Sequence, residues 1–103
     1  MVALLVRLKI QPGKEAEAEA AAKEIAATVK ASEPGVLVYQ FFRSQQDASE
    51  MIITEGYADQ EAFDAHMKQP HVLQFMGKMR EIFDMSAVSA ANLTRVAGFT
   101  RES

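Results

Sequence analysis

The stretch VLVYQFFR (Val36–Arg43), the polar segment SQQDAS (Ser44–Ser49) and the stretch EMIITEGY (Glu50–Tyr57) decide the fold. Both flanking stretches are rich in the β-branched and aromatic residues that suit a pleated strand. The polar segment between them is short enough for a hairpin loop. The apolar residues do not keep to one face. In the first strand Val36, Val38 and Phe42 share one parity, and Leu37, Tyr39 and Phe41 share the other. In the second, Met51, Ile53 and Tyr57 oppose Ile52 and Thr54. A sheet with one face in water alternates apolar and polar residues. This hairpin predicts a sheet covered on both faces.

Working outward, Val2–Ile10 is an apolar run interrupted by Arg7 and Lys9, and it reads as a third strand ended by Pro12 and Gly13. Lys14–Ala31 is built from Ala, Glu and Lys, strong helix formers. Its stripe Ala18, Ala21, Ala22, Ile25, Thr28 and Val29 has helical spacing. Glu33-Pro34-Gly35 stops that helix, since Pro disfavours helical geometry before it, and Gly35 is expected to supply the turn. Asp59 is an N-cap for a short helix from Gln60 to about Lys68. Pro70 opens the next helix, whose stripe is Val72, Phe75, Met76, Met79, Ile82 and Phe83. A last strand from Ser86 to about Val96 is required by the fold more than by its own weak alternation. The order βαββαβ predicts an α+β, ferredoxin-like domain spanning residues 1–103, with an antiparallel sheet and helices on one face. Two helices cover only one sheet face. The second apolar face therefore predicts a homodimer in which a symmetric partner's sheet covers it.

Composition narrows the chemistry. The 103 residues carry a net charge of −3, 2 His, and neither Cys nor Trp. Without thiols there is no disulfide, thiolate metal site or thiol nucleophile. The mild acidity leaves nucleic acid without an electrostatic footprint. No segment approaches the roughly 20 apolar residues of a spanning helix, so no membrane partner is expected and a cytoplasmic protein is the expectation.

The turn Glu33-Pro34-Gly35, the segment EGYAD (Glu55–Asp59) and the segment AHMKQPH (Ala65–His71) together resemble the antibiotic biosynthesis monooxygenase domain family, most closely its small quinol monooxygenases. The resemblance covers nearly the whole chain in element order. It implies a dimeric α+β barrel with an apolar pocket between sheet and helices. It also implies oxygenation of a small apolar or aromatic ligand of the quinol type with no metal and no flavin. The haem-degrading members of the superfamily use an Asn on the first strand, a Trp on the second helix and a downstream His. Those positions fall here near Val6 and on His66 and Met76, which argues against haem degradation.

His66 lies on the helix face marked by Ala62, Phe63 and Met67, so its ring points inward. Imidazole near neutrality suits a general base or a donor to a substrate oxygen. The alternative is a structural His bonded to a backbone carbonyl or to Glu55. His71, in the first turn after Pro70, is biased toward the neutral form by the helix N-terminus and either contacts substrate or serves the helix junction. Glu55, a carboxylate inside an apolar strand, needs a partner, either His66 or Arg7. Tyr39 and Tyr57 offer hydroxyls to a substrate oxygen. His66, His71, Tyr39 and Glu55 are thus the candidate catalytic residues. Arg7, Phe41, Tyr57, Phe75, Met76 and Met79 are candidates for lining the site, although a Met and Phe stripe at helical spacing also reads as plain core. Two His and Glu55 make too sparse a ligand set for a metal centre to be expected. Two other functions fit the same residues: an isomerase or epimerase of a small carbonyl compound, and a non-catalytic ligand-binding dimer.

Overall fold

The computed structural model describes residues 1–101. The elements are β1 (Val2–Lys9), α1 (Glu15–Ser32), β2 (Val36–Arg43), β3 (Glu50–Tyr57), α2 (Gln60–His66), α3 (Pro70–Ile82) and β4 (Ser89–Leu93). The strands form one antiparallel sheet in the order β2-β3-β1-β4, which is the expected ferredoxin-like α+β arrangement. Among the described residues no helix is long and apolar enough to cross a membrane.

Register settles which parity meets the helices. Leu8 and Ile10 on the first strand and its extension, and Met51 and Ile53 on β3, are buried against Ala18, Ala22, Ile82 and Phe83. A second cluster joins Ile25 and Val29 of α1 to Val72 of α3, with Val36, Tyr39, Phe41 and Phe75 packed on it. The helix side of the sheet therefore carries Leu4, Val6 and Leu8 on β1, Met51, Ile53, Glu55 and Tyr57 on β3, and Tyr39 and Phe41 on β2. A register shift between Val36 and Val38 turns Val36 to the same side as Tyr39. The opposite side presents Leu5, Arg7, Val38, Phe42, Ile52 and Leu93, and Phe42 and Leu93 are each 48% exposed.

One sequence expectation of this fold needs correction. The last strand is shorter than Ser86–Val96, because Asp84 accepts from Ser86 N and caps a 3-10 turn at Met85–Ala87 before β4 begins. Each residue of β4 is exposed, which explains its weak alternation. Gly35 lies in the turn, as expected, and without a positive φ. It also allows close approach, since a Cβ there would lie 2.8 Å from the Ala62 Cβ of α2. Other sequence cues hold. Asp59 caps α2 by accepting from Ala62 N at 2.8 Å, Pro70 opens α3, and the helical layer breaks between His66 and Pro70.

Candidate active site

The site begins at the end of α1. Pro34 forces Glu33 out of helical geometry, and the Glu33 backbone takes an extended φ of −126° while its N–H still donates to Val29 O at 2.9 Å. The chain then reverses, and Gly35 O accepts from Ala58 N at 2.9 Å. This turn aims the Glu33 side chain inward beneath the α2–α3 junction, where only 6% of it is exposed.

Both histidines of the chain meet Glu33 there. His66, the last residue of α2, places Nδ1 2.9 Å from Glu33 Oε1. His71, in the first turn of α3, places Nε2 2.6 Å from Glu33 Oε2. A carboxylate only accepts, so each imidazole donates its N–H to its own oxygen. That fixes the tautomers: neutral His66 keeps its free lone pair on Nε2, and neutral His71 keeps its own on Nδ1. The His66 side chain is 3% exposed and that of His71 is 20% exposed. His71 also lines a water-sized cavity of about 30 Å³ between α1 and α3, beside Glu24, Thr28 and Lys78.

The His66 ring packs against the Tyr39 and Tyr57 rings, at centroid distances of 5.4 and 5.2 Å. Phe63 packs edge-on against Tyr57 at 5.1 Å. The Tyr57 hydroxyl donates to Glu55 Oε1. Burial is the main reason that both phenols hold their protons well above the usual range. The Tyr57 bond to Glu55, and the negative charge of Glu55 and Glu33 near Tyr39, add to it. Both tyrosines are thereby favoured in the protonated form, and the Tyr57 O–H is committed to Glu55. An open groove of about 430 Å³ between the end of α1 and β2 reaches Glu33 and Tyr39 from solvent.

The sequence candidates divide. His66, His71, Tyr39, Tyr57 and Glu55 come together on the helix side of β2 and β3. Glu55 pairs with neither of its expected partners: its bond is to Tyr57, its neighbour two residues along the same strand face. Arg7 lies on the opposite face of the sheet and pairs with Glu50 at 3.3 Å, away from the cluster. Phe41 and Phe75 meet edge-on at 6.1 Å at the margin of the core, and Met79 packs on the same buried cluster as Phe41. Met76 turns outward and is 40% exposed. Glu33 is the residue that sequence reasoning missed. In sequence it reads as a helix stop, and the signal it offers is a carboxylate fixed by the following Pro at a chain reversal. The two His do not join Glu55 as a ligand set. Glu33 engages both through their N–H groups, and among the described residues no group of three His, Cys, Asp or Glu is placed to hold a metal ion.

The family model for antibiotic biosynthesis monooxygenase matches residues 1–78. A Caulobacter crescentus CB15 structure named for the same family is 32% identical, covers 93% of this chain and 90% of its own, and superposes with a TM-score of 0.86. A Bacteroides thetaiotaomicron VPI-5482 structure, also named for that family, is 24% identical with coverage of 99% and 95% and a TM-score of 0.88. The Mycobacterium tuberculosis protein Rv0793 shares the fold at 21% identity, with coverage of 96% and 98% and a TM-score of 0.84. None of the curated proteins matches the chain in sequence.

Proposed function

The chain belongs to the antibiotic biosynthesis monooxygenase family, and on that premise we propose that it oxygenates a quinol or related electron-rich aromatic with His66 as the base. The observation that carries this reading is the double hydrogen bond of Glu33 to His66 and His71. A buried carboxylate that accepts from Nδ1 leaves Nε2 as the lone pair able to take a proton, and it stabilises the imidazolium that results. Tyr39 and Tyr57 both pack against the ring from the sheet, and Glu33 fixes which nitrogen carries the lone pair.

In the proposed reaction His66 Nε2 removes a hydroxyl proton from the substrate. The resulting anion passes an electron to dioxygen, and the two radicals join in a bond from ring carbon to oxygen. His66 returns its proton to the peroxide. The O–O bond then breaks as the ring hydrogen leaves with the distal hydroxide as water, giving a hydroxyquinone. One oxygen atom enters the product, the other becomes water, and the substrate supplies the electrons. The protein contributes a base in His66 and a hydroxyl donor in Tyr39, which the open groove reaches from solvent. We also propose that the working unit is a homodimer joined through the sheet face that bears Leu5, Val38, Phe42 and Ile52, since an apolar patch of this kind is seldom left in water.

Oxygen uptake on a panel of quinols tests the reading. His66→Gln is expected to lower kcat by about a hundredfold or more, the ordinary share of a general base, while mass by light scattering stays that of the wild type. A His66→Gln kcat within a factor of about two of the wild type rejects the assigned role.

A further inference from the structure

The groove that reaches Glu33 and Tyr39 continues past them. Ala26 of α1 lines that groove and also a second one, of about 350 Å³, bounded by Ala22 and Lys23 of α1 and by Phe41 and Arg43 of β2. On β2, Tyr39, Phe41 and Arg43 alternate along one strand face, the side that carries the helices. On α1, Lys23, Ala26 and Lys30 follow at spacings of three and four and share one helix face. The trough stays open because α1 offers Ala22 and Ala26 where longer side chains would fill it. It runs from Tyr39, beside His66, over the Phe41 ring to Arg43, four residues along the strand or about 13 Å. Its charge is one-sided. Lys30 lines the near end, and Lys23, Arg43 and Glu19 line the far end. Glu19 is paired with Arg43. That pair and the contact to Glu15 O at 3.4 Å both fall on Arg43 Nη2, while Arg43 Nε is buried without a partner. Among the described residues neither Lys23 nor Lys30 enters an ion pair. Three cations thus stand against Glu19 and against Glu33, whose oxygens already accept from His66 and His71. This excess of cations lies in a chain whose net charge is −3.

We infer that the substrate carries an anionic side arm, a carboxylate on an apolar chain, which lies in this trough with its acid group at the Lys23 and Arg43 end. The placement of the ring rests on the reading of Tyr39 and His66 as the reaction end. The arm crosses Ala26 and the Phe41 ring, which give it apolar contact. Its acid group meets the Lys23 ammonium and the Arg43 donors that Glu19 leaves unspent. A partly exposed ion pair is worth little by itself. The trough therefore discriminates among arms more than it supplies affinity. A neutral arm forfeits both pairs, and a short arm leaves its acid at Lys30, away from them.

The test is anaerobic titration of the full chain with a para-quinol bearing a carboxyalkyl arm of about 13 Å reach, with its methyl ester, and with an alkanoate of the same length that lacks the ring. Oxygen uptake follows with the first two. The wild type is expected to bind the acid about tenfold more tightly than the ester, about threefold from each pair, with the ratio falling as salt is added. Lys23→Glu is expected to bring the ratio to about threefold or below, Lys23→Arg to keep it, and Lys30→Gln to leave it unchanged. His66→Gln is expected to keep the ratio and lose turnover, so the arm and the base fail separately. Equal binding of acid and ester by the wild type, or a ratio that survives Lys23→Glu, overturns the arm and leaves the base untouched. A ratio abolished by Lys30→Gln overturns it too, by putting the acid at the near end. An alkanoate that binds as tightly as the quinol acid overturns it as well, since the trough is then a site for a separate fatty acid.

Discussion

Removing the Glu33 carboxylate is the sharpest test of how the site is held. In Glu33→Ala both acceptors disappear. The His66 Nδ1–H, on a side chain that is 3% exposed, is left without a partner. A buried donor stranded in this way costs about 1–3 kcal/mol. The His71 Nε2–H is on a side chain that is 20% exposed, and water can replace most of its bond, so about 1 kcal/mol is lost there. The expected total is about 2–4 kcal/mol, a large part of the roughly 5–15 kcal/mol that keeps a small domain folded. Urea denaturation at fixed protomer concentration measures it as a lower midpoint with an unchanged slope. Glu33→Gln gives a second readout. Its side chain offers one acceptor and one donor, so one of the two imidazoles must turn a lone pair toward it and change tautomer. Ring-nitrogen NMR of labelled histidine reports that change directly. A Glu33→Ala stability within about 0.5 kcal/mol of the wild type, the range of ordinary surface substitutions, would refute the view that the carboxylate satisfies a buried ring.

Three further outcomes are expected. Gly35→Ala puts a methyl group 2.8 Å from the Ala62 Cβ, so α2 must shift; overpacking of this kind costs about 1–3 kcal/mol, and the His66 ring resonances should move with the loss. Tyr39 and Tyr57, the 2 tyrosines of the chain, hold their protons above the ordinary value mainly through burial. Their unfolded counterparts ionise near pH 10. The stability they contribute is therefore complete below about pH 10 and declines as pH rises beyond it; tyrosinate absorbance should appear together with loss of the circular dichroism signal, and phenolate appearing in the intact fold would contradict this. Phe42→Glu, on the sheet face away from the helices, should yield a monomer by light scattering while the helix and strand content persists; an unchanged dimer would place the interface elsewhere.

The fold was largely legible because its signals are local. The hairpin, the Asp59 cap and the break before Pro70 each depend on a few adjacent residues. The inward direction of His66 was legible too, since helical spacing alone puts it with Ala62 and Phe63. What was not legible was the partner. Glu33 is 33 residues from His66 and 38 from His71, and the one local signal, a carboxylate before Pro34 at a chain reversal, does not say which distant ring it meets. The assignment of Glu55 failed for a related reason. A carboxylate in an apolar strand announces a need, but which group meets it depends on register. Once Leu4 is set opposite Glu55, Arg7 falls opposite Ile52 and on the other face of the sheet, out of reach.

The placement of Glu33 also says why this turn and this site belong together. A side chain on the last turn of a helix has several rotamers and holds a distant ring poorly. Glu33 sits one step beyond the helix, where Pro34 restricts its backbone, Val29 O holds its N–H, and Val36 N donates to its carbonyl oxygen at 3.0 Å. The backbone of the carboxylate is thus fixed from both sides before its side chain meets either imidazole. Gly35 then lets α2 approach to contact distance, which brings His66 to the same carboxylate. A proton acceptor works only when its lone pair is aimed to within a small angle, and here that aim comes from the geometry of a helix stop. A substitution that leaves every ring in place but loosens this turn, such as Pro34→Ala, therefore affects the chemistry before it affects the fold. It should lower kcat more than it lowers stability. An equal loss of both, tracked by oxygen uptake and urea midpoint on the same preparation, would show that the turn serves only the fold.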